Sequence, residues 1–227
     1  MRVCHRLAAR GYVTSQGGNL AWRVDDNVIL ITATRLPKGE HEARDVVFVD
    51  PSGRRLAGAR EPTGELPIYV SFFRDRPDVR SIVHCHPPCC SALAISAGEN
   101  PLMRPLFPEV ILEIGPVPLV PYATPLTQEL ADTFKPFLAK YNAFLMQNHG
   151  VILVSPHDLA WTCGLVEELE ASADSVLRAQ AVGELCEIPR DALVEMDRIM
   201  TIRSLPRCGA PGVNPSLLDL YFPGQSA

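Results

Sequence analysis

Apolar positions along the chain follow two periods. Short apolar runs broken by turn residues dominate the first sixty positions, and stripes of helical spacing alternate with further short runs after them. Residues 1–10 carry a helical pattern that stops at Gly11, a residue suited to ending a helix. Segments 18–24 and 27–34 predict two strands around the turn residues Asp25, Asp26 and Asn27. Segment 45–56 predicts a strand, a Pro-Ser-Gly turn and a second strand. Leu66, Tyr69, Val70 and Phe73 form a helical stripe that ends at the Arg74 to Pro77 stretch. Residues 79–86 predict a buried strand closed by Pro87 and Pro88. A short helix is expected over 91–98, and a proline-rich stretch of extended pieces over 101–125. Thr127 caps a predicted helix over 127–141 that contains Pro136, and 143–155 predicts two buried strands around Asn148-His149-Gly150. The longest helix is predicted over 155–184, with Ser155 as cap and Pro156 at its first position. One more helix is expected after Pro189, and the tail holds a short amphipathic piece, SLLDLYF.

Several of the strands are joined by turns too short for a crossover, so the sheet is expected to be mixed and largely antiparallel, with helices packed on it. The fold class is therefore α/β, and no composition shift divides residues 1–227 into more than one domain.

Composition narrows the function classes. Hydrophobic residues make up 47 % and charged residues 21 %, the balance of a globular protein. The formal charge of −5, with no basic block, gives no electrostatic footing for nucleic acid or a membrane surface. No apolar run approaches the ~20 residues of a membrane span, and the first residues lack a signal-peptide core. The expected location is the cytoplasm. There the seven cysteines, odd in number and irregular in spacing, stay reduced.

The chemistry concentrates in HCH, residues 84–86. On a strand alternate side chains share a face, so His84 and His86 aim at one point while Cys85 turns away. A pair of imidazoles is as consistent with hydrogen-bonded, partly buried histidines as with a metal. A catalytic zinc takes three protein ligands and one open position. His41 lies in the charged stretch KGEHEARD and is expected to be solvated, and His157 is expected to be exposed at a helix start. His149 lies between two apolar runs beside Gly150, where a polar residue needs a reason, and is the chosen third ligand. Glu65 opens a helix about twenty residues before the pair. Alone it would serve the helix dipole; near a metal it would carry protons. The three lysines, Lys38, Lys135 and Lys140, are expected in polar or loop settings, with no Schiff-base candidate among them.

Four segments occur together and in order: SQGGNLAWRV, REPTGELPIYVSFFRDRPDVRSIVHCHP, VPLVPYA and FLMQNHGVILVS. Together they resemble the class II aldolase/adducin family over roughly residues 4 to 180. The resemblance implies a three-layer α/β/α fold around a mixed sheet, assembled as a homotetramer with sites between subunits. It implies zinc on His84, His86 and His149, with iron(II) or manganese(II) as other divalent candidates, and Glu65 as catalytic acid/base. It places Asn19 in a pocket for the substrate phosphate. Two family segments differ here: a TPSG-like turn reads Thr32 to Arg35, and a PSSE segment reads Pro62 to Glu65. Thr34, Arg35, Thr63 and the Gly64 backbone remain as donors to an anion, whether phosphate or carboxylate.

The leading reading is a zinc lyase that cleaves a small sugar phosphate reversibly through an enediolate, as L-fuculose-1-phosphate aldolases do. The alternatives on the same scaffold are a metal-dependent decarboxylase, toward which the altered pocket shifts weight, and a sugar-phosphate 4-epimerase. A non-enzymatic adducin-like interaction domain is a further class, against which the complete ligand set argues. The expected partner is a small sugar phosphate or hydroxy acid.

Overall fold

The computed structural model describes residues 1–224. Among them, strands β1 (Asn19–Arg23), β2 (Ile29–Ile31), β3 (Val47–Val49), β4 (Arg55–Ala57), β5 (Ser81–Cys85), β6 (Leu119–Val120), β7 (Ala143–Met146) and β8 (Gly150–Ser155) form one sheet. Its order is β4-β3-β2-β1-β5-β8-β7-β6. Every pairing is antiparallel except the parallel β6–β7 pair. This is the mixed, largely antiparallel sheet that the short turns predict.

Helices cover both faces, so the architecture is three-layered. On one face α1 (Arg2–Ala9), α3 (Pro88–Ala94) and α7 (Leu159–Gln180) close a core over Leu20, Val83, Cys85, Leu145, Val151 and Leu153. On the other, α2 (Leu66–Asp75), α5 (Gln128–Thr133) and α6 (Lys135–Leu138) cover Ala21, Ile31, Ile82, Phe144 and Ile152. Alternation along each strand sends neighbours to opposite cores: Val83 and Cys85 face α7 while Ile82 faces α2. Phe72, Phe134 and Phe144 meet edge to face in the second core, with ring centroids 5.0–5.7 Å apart. A third cluster joins α4 (Pro108–Glu113) to α8 (Arg190–Ile202) and α9 (Leu217–Tyr221) through Ile111, Leu193, Met200, Leu217 and Leu220.

Four boundaries differ from the sequence reading. The proline-rich stretch contains the helix α4, because Pro108 opens it at a position where a missing N–H costs nothing. The helix expected over 127–141 is two short helices parted at Phe134; Thr127 caps the first, its hydroxyl accepting from the Leu130 amide. The short helix expected over 91–98 begins earlier, at Pro88. The long helix is capped by Asp158, whose carboxylate accepts from the Trp161 amide. Ser155 ends β8 instead, paired in register with Ser81.

Candidate metal centre

β5 runs between β1 and β8, and in this register His84 lies opposite Asn19 on one side and Ile152 on the other. His86 follows the strand's last residue and is tethered by its backbone amide to the Tyr12 carbonyl at 2.7 Å. His149 comes from the three-residue loop joining β7 to β8, whose ends pair as Met146 with Gly150. Asn148 turns that loop with φ of 58°, a left-handed conformation that asparagine tolerates. Three separate backbone devices thus bring three imidazoles together. Their nearest ligand nitrogens all lie within 4.8 Å of one another.

The rings are oriented as metal ligands need to be. His84 Nδ1 lies 2.9 Å from the Val151 carbonyl oxygen, to which it donates, leaving Nε2 as the free lone pair. That Nε2 is 3.1 Å from His86 Nε2. Glycines hold His86 from two sides. A Cβ on Gly17 would come within 2.9 Å of the ring, and one on Gly150 would strike the ring and sit 2.6 Å from the Cys85 carbonyl. Burial, more than any neighbour, pulls His84 and His86 down to about 3, so both are neutral imidazoles near neutral pH. Three imidazoles converging on one point, with a backbone partner fixing the tautomer of His84, are a donor set suited to a divalent ion.

Glu65 precedes α2 and reaches the same point. Its carboxylate oxygens lie 3.6 Å from His84 Nε2 and 3.5 Å from His149 Nε2. The Asn19 amide donates to Glu65 Oε2 at 2.6 Å. Burial pushes the Glu65 carboxyl above the usual carboxylate range, against the pull of His149 and of the Asn19 amide. A buried carboxylate beside three converging imidazoles, held by one directed hydrogen bond, is placed to take up or release a proton.

The proposed anion donors fall on two facing segments. Thr34 and Arg35 lie on one turn, Thr63 and Gly64 on the other. The segments are joined by an Ala33–Pro62 bridge, a Thr34 amide bond to the Glu61 carbonyl and a Thr63 amide bond to the Thr32 carbonyl, both 3.1 Å. Thr63 is buried, and its hydroxyl accepts from the Glu65 amide at 3.3 Å. Arg35 is exposed and has no side-chain partner among the described residues. Gly64 lies under Leu126, whose Cδ2 would be 2.8 Å from a Cβ placed there.

Two polar residues sit deeper than their surroundings in the sequence suggest. His41, expected to be solvated, is fully buried; its Nδ1 is 3.1 Å from the Pro37 carbonyl oxygen, and its own carbonyl meets His5 Nε2. Lys38, expected in a polar or loop setting, is also buried, at 1 % exposure. Lys38 opens, and His41 follows, a 3-10 turn (Lys38–Glu40) that docks against α1, a contact between distant segments that no local pattern announces. The packing of Gly17 and Gly150 on His86 was likewise missed, and the glycines of SQGGN and NHG were its only signal in the sequence.

A mixed sheet carrying a three-histidine centre with a carboxylate beside it defines a metal-dependent enzyme class. The model of the class II aldolase and adducin N-terminal domain matches residues 1–177, and the chain belongs to that family. It is 34 % identical to a 3-oxo-tetronate 4-phosphate decarboxylase of Pectobacterium atrosepticum, over 72 % of this chain and 75 % of that protein. It is 29 % identical to an L-fuculose phosphate aldolase of Escherichia coli, over 79 % of this chain and 81 % of the aldolase. Among solved structures, YgbL of Klebsiella pneumoniae superposes with a TM-score of 0.79 at 29 % identity, covering 86 % of this chain and 94 % of that one. The decarboxylase alternative therefore carries more support than aldol cleavage.

Proposed function

We propose that this protein is a metal-dependent decarboxylase of a small 3-oxo sugar acid bearing a terminal phosphate. The observation that carries the reading is the set of His84, His86, His149 and Glu65 on a chain 34 % identical to a 3-oxo-tetronate 4-phosphate decarboxylase. His84, His86 and His149 would hold the ion, with zinc the best match to three imidazoles and iron(II) or manganese(II) also compatible. Once bound, such an ion supplies Lewis-acid polarisation of the substrate's carbonyl oxygen.

In a 3-oxo acid the bond to the carboxylate breaks toward the ketone. Carbon dioxide leaves, its bonding electrons pass to the adjacent carbon and the carbonyl oxygen, and a proton must then reach that carbon. Glu65 is assigned to deliver this proton, with the Asn19 amide keeping its carboxyl aimed. From a four-carbon 3-oxo acid 4-phosphate the product is dihydroxyacetone phosphate. Aldol cleavage of a ketose 1-phosphate passes through the same carbanion. One site can therefore serve either chemistry, and the leaving fragment distinguishes them. Asn19, Thr34, Arg35, Thr63 and Gly64 are assigned to the substrate's anionic end.

The test is metal-loaded protein with 3-oxo-tetronate 4-phosphate, followed by carbon dioxide release. The expected result is turnover that a chelator abolishes and Glu65→Gln lowers about 10²- to 10⁴-fold without loss of bound metal. Cleavage of ketose 1-phosphates without carbon dioxide release from the acid would overturn the reading in favour of an aldolase.

A further inference from the structure

Lys38 has no part in the chemistry above, yet its position is costly. It is one of three lysines in the chain, 1 % exposed, at the start of the first 3-10 turn. Among the described residues no carboxylate lies within ion-pair distance of it. Its ammonium donates to two main-chain carbonyls, Leu36 at 3.2 Å, at the upper end of the normal range, and Gln16 at 3.5 Å, beyond it. A buried cation with two carbonyl contacts and no ion-pair partner is poorly compensated.

The two carbonyls show what the lysine joins. Gln16 belongs to the loop that sets Gly17 against His86 and leads through Gly18 into Asn19. Leu36 follows Thr34 and Arg35 on the anion-facing turn. The loops are separate in sequence, and the Lys38 ammonium bonds to both. Its charge also reaches the centre: it favours the ionised form of Glu65 and the neutral form of His84 and His86.

We propose that Lys38 is a positioning residue for the anionic end of the substrate. It ties the 15–18 loop to the 34–36 turn and places a fixed positive charge behind them, so that this end of the site takes a phosphate. The inference rests on the sugar-phosphate reading above and deepens it. Because Lys38 is enclosed, it acts through the two loops and through its field, and does not touch the ligand.

The experiment uses a non-reacting pair of probes, 3-phosphoglycerate and glycerate, titrated calorimetrically into metal-loaded wild type, Lys38→Met and Lys38→Arg. Lys38→Met is expected to weaken 3-phosphoglycerate binding ten- to a hundredfold. Glycerate binding and metal stoichiometry should stay unchanged, and the melting temperature equal or higher, since a buried uncompensated charge is gone. Lys38→Arg should recover part of the phosphate preference. A lowered melting temperature with equal weakening of both ligands would mark Lys38 as merely structural. Unchanged 3-phosphoglycerate affinity in Lys38→Met, or a wild type that does not prefer the phosphorylated probe, would overturn the proposal. So would a borohydride-trapped adduct of dihydroxyacetone phosphate on Lys38, which would make the lysine a covalent participant. Binding needs no turnover, so a protein that shows the Lys38-dependent phosphate preference but releases no carbon dioxide would refute the decarboxylase reading and leave this one standing.

Discussion

At the scale of single residues, backbone strain marks the site. Ser204, after α8, has φ of 52°; the other four non-glycine residues at positive φ among the described residues are Ser15, Arg35, Leu126 and Asn148, at 44°, 54°, 68° and 58°. Each of these four lies beside a component of the centre: the Gly17 loop, the anion turn, Gly64 and His149. Only asparagine is at ease there; leucine and arginine pay for the conformation. Such strain persists where the surrounding structure imposes it, and it gathers at functional sites. Arg35 offers a test, because its side chain is exposed and glycine would relieve the backbone. Arg35→Gly is expected to raise stability by about 1 kcal/mol in a denaturation experiment. The same change is expected to raise KM for the phosphorylated acid about tenfold through loss of a charge-assisted contact. A fall in stability with KM unchanged would mean that the guanidinium packs and does not bind. The pairing of His84 with His86 was legible because a strand's period of two is rigid, so the two had to share a side; His149 was picked out by its place between apolar runs, and Glu65 by the family resemblance. Lys38 and His41 were not legible, since their burial depends on α1 lying over their turns, and α1 is distant in sequence.

At the scale of elements, α7 shows how packing creates a titratable group away from the centre. Glu168 faces Glu109 and Glu113 of α4, and one of its carboxylate oxygens is buried without a hydrogen-bond partner. Burial, with the two glutamates adding to it, raises its carboxyl to about 7. A carboxyl raised in the folded state contributes its full stability below the unfolded value of ~4.3 and loses it as pH rises through about 7. Glu168→Gln should therefore match wild type near pH 4 and exceed it by on the order of 1–2 kcal/mol at pH 8. Urea denaturation at the two pH values measures this, and an equal difference at both would show that Glu168 does not titrate between them. Neither the α4–α7 contact nor α4 itself was legible, because in a proline-rich stretch read as extended pieces nothing local sets apart Pro108, which opens a helix. The cap of α7 was misplaced for a related reason: Ser155 has the chemistry of a cap, but pairing with Ser81 commits it to the sheet.

At the scale of the whole molecule, the centre links folding to metal and pH. His84 and His86 are held at about 3 by burial, whereas unfolded histidines titrate near 6.5. A group lowered in the folded state contributes stability above its unfolded value and loses it as pH falls toward the folded one. The metal-free protein should therefore lose stability as pH falls from about 6.5 toward 3, each histidine contributing up to ~1.4 kcal/mol per pH unit. Thermal melts of chelator-treated protein across that range test the slope, and a flat profile would show that the two imidazoles are already protonated when folded. Adding a divalent ion at a hundred times its dissociation constant should restore about 2.7 kcal/mol at neutral pH. No described helix is long and apolar enough to cross a membrane. By itself the sequence determined the order of the strands and of most helices, the antiparallel character of the sheet and the shared face of His84 and His86, because these follow from local period and from turns too short for crossovers. Only the tertiary structure decided that Asn19 aims Glu65, that glycines clamp His86 and that a lysine lies buried between the Gln16 loop and the Leu36 turn. Each of those depends on segments remote in the chain meeting across the sheet, where burial and distance, rather than residue type, set the chemistry.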